Sequence, residues 1–143
     1  MGELSHQDWA SARAPDLEAF QAIADRAFAE LPEIFREACR KAGVVSRIAD
    51  FPDEETLDAL GAESEFDLLG LFHGVGLPQG GATPQTGAAP NLIWLYRRPI
   101  LDYWAEHDEA LGDVIAHVLI HEIGHHLGFS DEDMEAMEAA AGD

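Results

Sequence analysis

The stretch HEIGHHLGFSD, residues 121–131, holds three imidazoles, two carboxylates and two glycines at spacings that matter chemically. On a helix turning about 100° per residue, His125 lies roughly 40° from His121 and about 6 Å further along the axis. Two ring nitrogens so placed can meet one cation at about 2.0–2.1 Å, which is half of a zinc site. Glu122, at about 100°, stands just beside the pair, where it reaches a water on the metal without being forced to ligate. That is the placement of a general base: zinc lowers the pKa of its water to about 7, and a neighbouring carboxylate takes the proton during attack on a carbonyl and hands it to the leaving amine. Catalytic zinc takes three protein ligands and keeps one position for water, so a third ligand must come from elsewhere. Gly128 suits the left-handed cap of a helix that has to end there for the chain to fold back. Asp131, three residues on, is then the natural third ligand. The run Ser130-Asp131-Glu132-Asp133 also reads as a helix start, where acids favour the positive end of the dipole, and one carboxylate can serve both ends.

The remaining imidazoles have simpler assignments. His117, at about 320°, shares the face of the pair, but three consecutive turns about 6 Å apart fit one ion poorly; it reads as a pocket-lining residue or a partner behind the ligands. His126, at about 140°, points among apolar neighbours and reads as structural. His73, Tyr96 and Tyr103 are candidates for polarising a substrate carbonyl, with ordinary packing or surface as the simpler account of each.

The elements that must hold these groups are legible from periodicity. DEALGDVIAHVLIHEIGHHLG is apolar over roughly 60° to 260° of its circumference, as in a helix buried in a core rather than lying on a surface. SDEDMEAMEAAAGD closes the chain as a short helix with Ser130 as cap and Asp133 at its third position. Residues 16–42 read as two helices, with Pro32 in the first turn of the second and Gly43 as its stop. GVVSRIADFP is a strand candidate, DEETLDALG one or two helical turns, and DLLGLFHGVGL a glycine-interrupted strand. NLIWLYRRP is the clearest strand, ended by Pro99, with helix resuming from Ile100. Between the last two strands, residues 78–90 carry no large apolar side chain and read as a mobile surface loop.

Composition narrows the class. A chain of 143 residues suits one domain, expected over 16–143 behind a flexible N-terminal arm at 1–15. The single Cys39 cannot form an intramolecular disulfide and reads as a packing residue in a reducing compartment. The start has neither a basic nor an apolar leader region, and no apolar run reaches membrane-spanning length, so a cytoplasmic protein without a membrane partner is expected. Twenty-eight acidic residues against eight basic ones give a net charge of -20, and no Lys or Arg follows Arg98. Such a field repels phosphate backbones, which sets nucleic acid aside as a partner.

The pattern HExxHxxGxxD, carried by His121, Glu122, His125, Gly128 and Asp131, resembles that of the minimal bacterial zincin-like metallopeptidases, a family of small cytoplasmic proteins. The resemblance implies a compact α+β domain with a small twisted mixed sheet against the motif helix, one zinc per chain on His121, His125 and Asp131, and Glu122 as base. It also implies an edge strand above the metal that pairs with an extended peptide or protein substrate, for which residues 91–98 are the counterpart. Three functions stay open at this point: a zinc peptidase, a metal-binding protein without peptidase activity, and a metal-dependent endoribonuclease. The ribonucleases carry a third His where this chain has Asp131, and Glu122 and the acidity also count against that class.

Overall fold

The computed structural model describes residues 6–74 and 91–141. Its elements are α1 (His6–Ser11), α2 (Leu17–Ala29), α3 (Glu33–Ala42), β1 (Val44–Ala49), α4 (Glu54–Leu60), β2 (Gly70–His73), β3 (Asn91–Tyr96), α5 (Arg97–Glu106), α6 (Leu111–Gly124) and α7 (Asp131–Ala141). Helices surround a three-stranded mixed sheet, so the fold is α+β. The starts of α2 and α4 follow from their caps, with Asp16 accepting from the Ala19 N–H at 2.8 Å and Asp53 from the Thr56 N–H at 2.7 Å.

The strand order is β1-β3-β2. β1 runs parallel to β3 in the register Val44↔Asn91 to Ala49↔Tyr96, and β2 runs antiparallel to it from Gly70↔Leu95 to His73↔Leu92. The last strand in sequence is therefore the middle one in space. This corrects the expectation that residues 91–98 form the edge: both sides of β3 are already paired, and among the described residues β1 and β2 are the strands with one neighbour each. The strand is also shorter than expected. It ends at Tyr96, and Arg97 opens α5, because Pro99 falls in the first helical turn, where its missing N–H has no partner to lose. Arg97 anchors that junction, donating from Nε to the Pro15 carbonyl at 2.6 Å and pairing with Asp50 at 3.0 Å.

The broad apolar arc of α6 becomes the centre of the core. Ile115, Leu119, Ile120 and Ile123 on α6 are fully or almost fully buried, as are Phe20 on α2, Phe35 on α3, and Ile93 and Leu95 on β3. Burial of each such side chain stabilises the fold by about 1.5–3 kcal/mol. Neighbours α2, α5, α7, β2 and β3 all touch α6, which leaves one face of its C-terminal half for the histidines. No helix among the described residues is long and apolar enough to cross a membrane. The expected 78–90 loop lies outside the described residues.

Candidate metal centre

The end of α6 is built by a paired hydrogen-bond cap. The Phe129 N–H donates to the Gly124 carbonyl at 3.0 Å and the Gly128 N–H to the His125 carbonyl at 3.2 Å, with Gly128 at φ 88°. This is the Schellman arrangement, and it needs a residue that tolerates positive φ. Phe129 then stacks on Phe35, with ring centroids 5.7 Å apart, which fixes the direction of the turn. The chain reverses, and α7 packs along α6.

The start of α7 is capped reciprocally. The Asp133 N–H donates to the Ser130 hydroxyl at 3.0 Å, and the Ser130 N–H donates to the Asp133 carboxylate at 3.2 Å. The cap uses Ser130 and Asp133, so the Asp131 carboxylate is not engaged in it. Met134 and Met137 bury the inner face of α7. Gly124 makes the approach possible, since a Cβ there would stand 2.4 Å from the Met134 sulfur.

The helical reversal brings four donors together. His125 Nε2 stands 3.4 Å from Asp131 Oδ1, and His121 Nε2 stands 2.5 Å from Glu138 Oε1. All four residues, with Met134 and Glu135, line one cavity of about 220 Å³. His121, His125 and Asp131, the three ligands read from the sequence, are therefore neighbours. As they stand, the side chains form two facing pairs, and among the described residues no three His, Cys, Asp or Glu groups close around a single point. Their chemistry nevertheless fits a divalent cation. Two imidazoles and two carboxylates share one cavity, and Glu138 Oε1 is buried without a hydrogen bond of acceptable direction, a state that costs free energy unless a cation or donor completes it. The imidazoles and Asp131 are well exposed, at 59 %, 61 % and 84 % of their side-chain surface, so small rotations toward one ion meet little packing resistance.

Glu122 is not among the residues that line this cavity. It lines a second cavity of about 350 Å³ with His117, Tyr103, Glu109 and Leu69 among others, and His121 belongs to both cavities. Burial holds the Glu122 carboxyl above its ordinary value, against a smaller opposite pull from His121. Its wall is set by β2: a Cβ at Gly70 would come 2.7 Å from Val118 Cγ1 and 3.5 Å from Glu122 Cγ, so only glycine lets the strand lie this close to α6.

The other candidates separate clearly. His117 lines the Glu122 cavity, in keeping with its reading as a pocket-lining residue, and Tyr103 lines it too. His126 stacks its ring on Phe72 at 4.4 Å and is exposed, rather than enclosed by apolar neighbours as expected. Tyr96 is buried and its phenol is pushed up to about 12 chiefly by that burial, while His73 is exposed at the end of β2 and lines neither cavity. Cys39 is a buried packing residue whose thiol burial raises to about 12. The sequence reading missed Glu138 and Glu109. Glu138 had a usable signal, since it follows Asp131 by seven residues and so shares its helical face; Glu109 sits between helices, where no periodicity marks it.

Comparison with curated proteins finds no match. A family model described as zincin-like metallopeptidase matches residues 41–141, which takes in all three strands and both helices that carry the donors. With that span matched, the chain belongs to the zincin-like metallopeptidase family.

Proposed function

We propose that this metallopeptidase-family protein hydrolyses peptide bonds with a single zinc on His121, His125 and Asp131, and with Glu122 as general base. The observation that carries this reading is that His121 belongs to both cavities: donors for a cation line one, and the half-buried Glu122 carboxylate lines the other. Zinc at the donors would act as a Lewis acid and lower the pKa of water to about 7.

The rest of the work falls to the chain. Glu122 accepts a proton from the attacking water and returns it to the nitrogen of the leaving amine. The shelter of Leu69, Val114 and Val118 raises its basicity toward what that transfer needs. Tyr103 and His117 line the same cavity and would orient a substrate carbonyl bound there. An extended peptide is expected to pair with β2 rather than with residues 91–98, whose strand is already paired on both sides. The charge of -20 supports excluding nucleic acid, and the single, buried Cys39 supports a cytoplasmic location.

The test is metal content by elemental mass spectrometry on protein purified without chelator, with Glu122→Gln screened on a peptide library. Wild type should carry about one zinc per chain, and His125→Ala and Asp131→Ala should lose it. Glu122→Gln should keep its zinc and lose about 10²- to 10⁴-fold of hydrolysis, the usual contribution of a positioned acid or base. A Glu122→Gln protein as active as wild type would remove the base from the mechanism.

A further inference from the structure

We infer that Glu138 is a fourth protein ligand to the cation of this centre, filling the position that a hydrolytic site keeps for water. The inference rests on the reading above, in which His121, His125 and Asp131 hold that cation.

Asp131 and Glu138 are seven residues apart on α7, close to two full turns, so both carboxylates leave the helix on the side that faces α6. They meet the two imidazoles in matched order, Asp131 against His125 and Glu138 against His121. Each imidazole presents the same ring nitrogen, Nε2, to its carboxylate. A carboxylate that merely orients a metal-bound histidine takes the other ring nitrogen and leaves the metal-facing one free. Glu138 instead occupies the metal side of His121.

The distances point the same way. Ligand atoms about 2.0–2.1 Å from a tetrahedral ion lie about 3.3 Å from each other. The His125–Asp131 pair, at 3.4 Å, already has that separation. The His121–Glu138 pair is closer, at 2.5 Å, without hydrogen-bond direction, and opening it by somewhat under 1 Å would give it the same spacing. Glu138 is also the least exposed of the four donors, at 20 %, and its Oε1 is wholly buried, so it has no water to fall back on.

Four protein ligands make a closed site, which holds metal for structure, whereas three leave room for water. Glu138 therefore decides between the two states. It must withdraw before hydrolysis, and its helix is seated on α6 by Met134 and Met137, whose unbranched side chains accommodate small shifts.

The experiment is cobalt(II) binding to the full chain, followed by chelator competition and by the visible absorption of the bound ion, for wild type, Glu138→Gln, Glu138→Asp and the control Glu132→Gln, an exposed carboxylate of the same helix outside the cavity. Glu138→Gln should weaken binding at least about ten-fold, no less than the loss of an outer contact costs. Its visible band should lose intensity as water replaces the carboxylate and the coordination number rises. Glu138→Asp should fall between, and Glu132→Gln should match wild type. Melting of the metal-free proteins checks the fold; should Glu138→Gln melt early, Glu138→Asp carries the decision. Wild-type affinity and spectrum in the Glu138 variants would overturn the role of Glu138 alone. A wild type that binds neither cobalt nor zinc would overturn the metal centre itself, and Glu138 with it.

Discussion

Replacing Gly70 by alanine tests how the proposed base, Glu122, is housed. The added Cβ would stand 2.7 Å from Val118 Cγ1 and 2.9 Å from the Trp94 carbonyl oxygen, whereas carbon atoms pack best at about 3.5–4.0 Å. Neither neighbour yields easily. Val118 is a β-branched residue on a helix, held to one strongly preferred rotamer, and Trp94 lies on the central strand, paired with Leu71 on one side and Arg47 on the other. The strand β2 must therefore lift away from α6 by close to 1 Å, an overpacking cost of about 1–3 kcal/mol. For a domain near 150 residues each kcal/mol lowers the melting temperature by about 2–4 °C, so the variant should melt roughly 2–12 °C below wild type. Gly112→Ala is the control, because nothing lies within 4 Å of its added methyl and it sits in the first turn of α6; it should be neutral or gain up to about 1 kcal/mol. Circular dichroism melts of the two proteins decide it. A Gly70→Ala protein within about a degree of wild type would refute the claim that glycine sets the distance between β2 and the Glu122 helix.

Two further outcomes follow from the structure. Ser130→Ala removes the hydroxyl that accepts from Asp133 and should cost about 0.5–2 kcal/mol in a chemical denaturation series; since α7 carries Asp131, metal affinity should fall with it, and undiminished stability would mean the cap is not holding the helix. Tyr96 ionises near 12 in the fold against about 10 in an unfolded chain. The fold favours the neutral phenol, so its contribution to stability is full below pH 10 and is lost as pH rises from there toward 12. Tyr96→Phe should flatten the fall in urea midpoint over that window, and an unchanged slope would show that another group controls it.

The residues proposed to bear the chemistry were readable because they obey local rules. His121, Glu122 and His125 are placed by a helical repeat within five residues. Gly128 is required by the backbone of one cap, and Ser130 with Asp133 by another. Each such rule involves atoms a few bonds or one turn apart, so the chain states it wherever it folds. The buried arc of α6 was legible for the same reason, as was the α+β character of the fold. Strand order was not. The pattern of NLIWLY says that both faces are buried, but a pattern of side chains carries no information about which backbone edges are paired, and β3 took β1 and β2 as neighbours through contacts dozens of residues away. The start of α5 was misplaced because proline ends a strand and also opens a helix, and only the anchoring of Arg97 to Pro15 and Asp50 selects between them. Glu138 has the right helical phase to join the donors, yet phase alone does not say that α7 turns back along α6. That depends on Phe129 finding Phe35 and on Met134 seating against Gly124. Spacing along one helix therefore chose the chemistry, whereas packing between elements decided which carboxylates meet the imidazoles and how deeply Glu122 is buried, since distance through space is set by the whole core and not by neighbours in the chain.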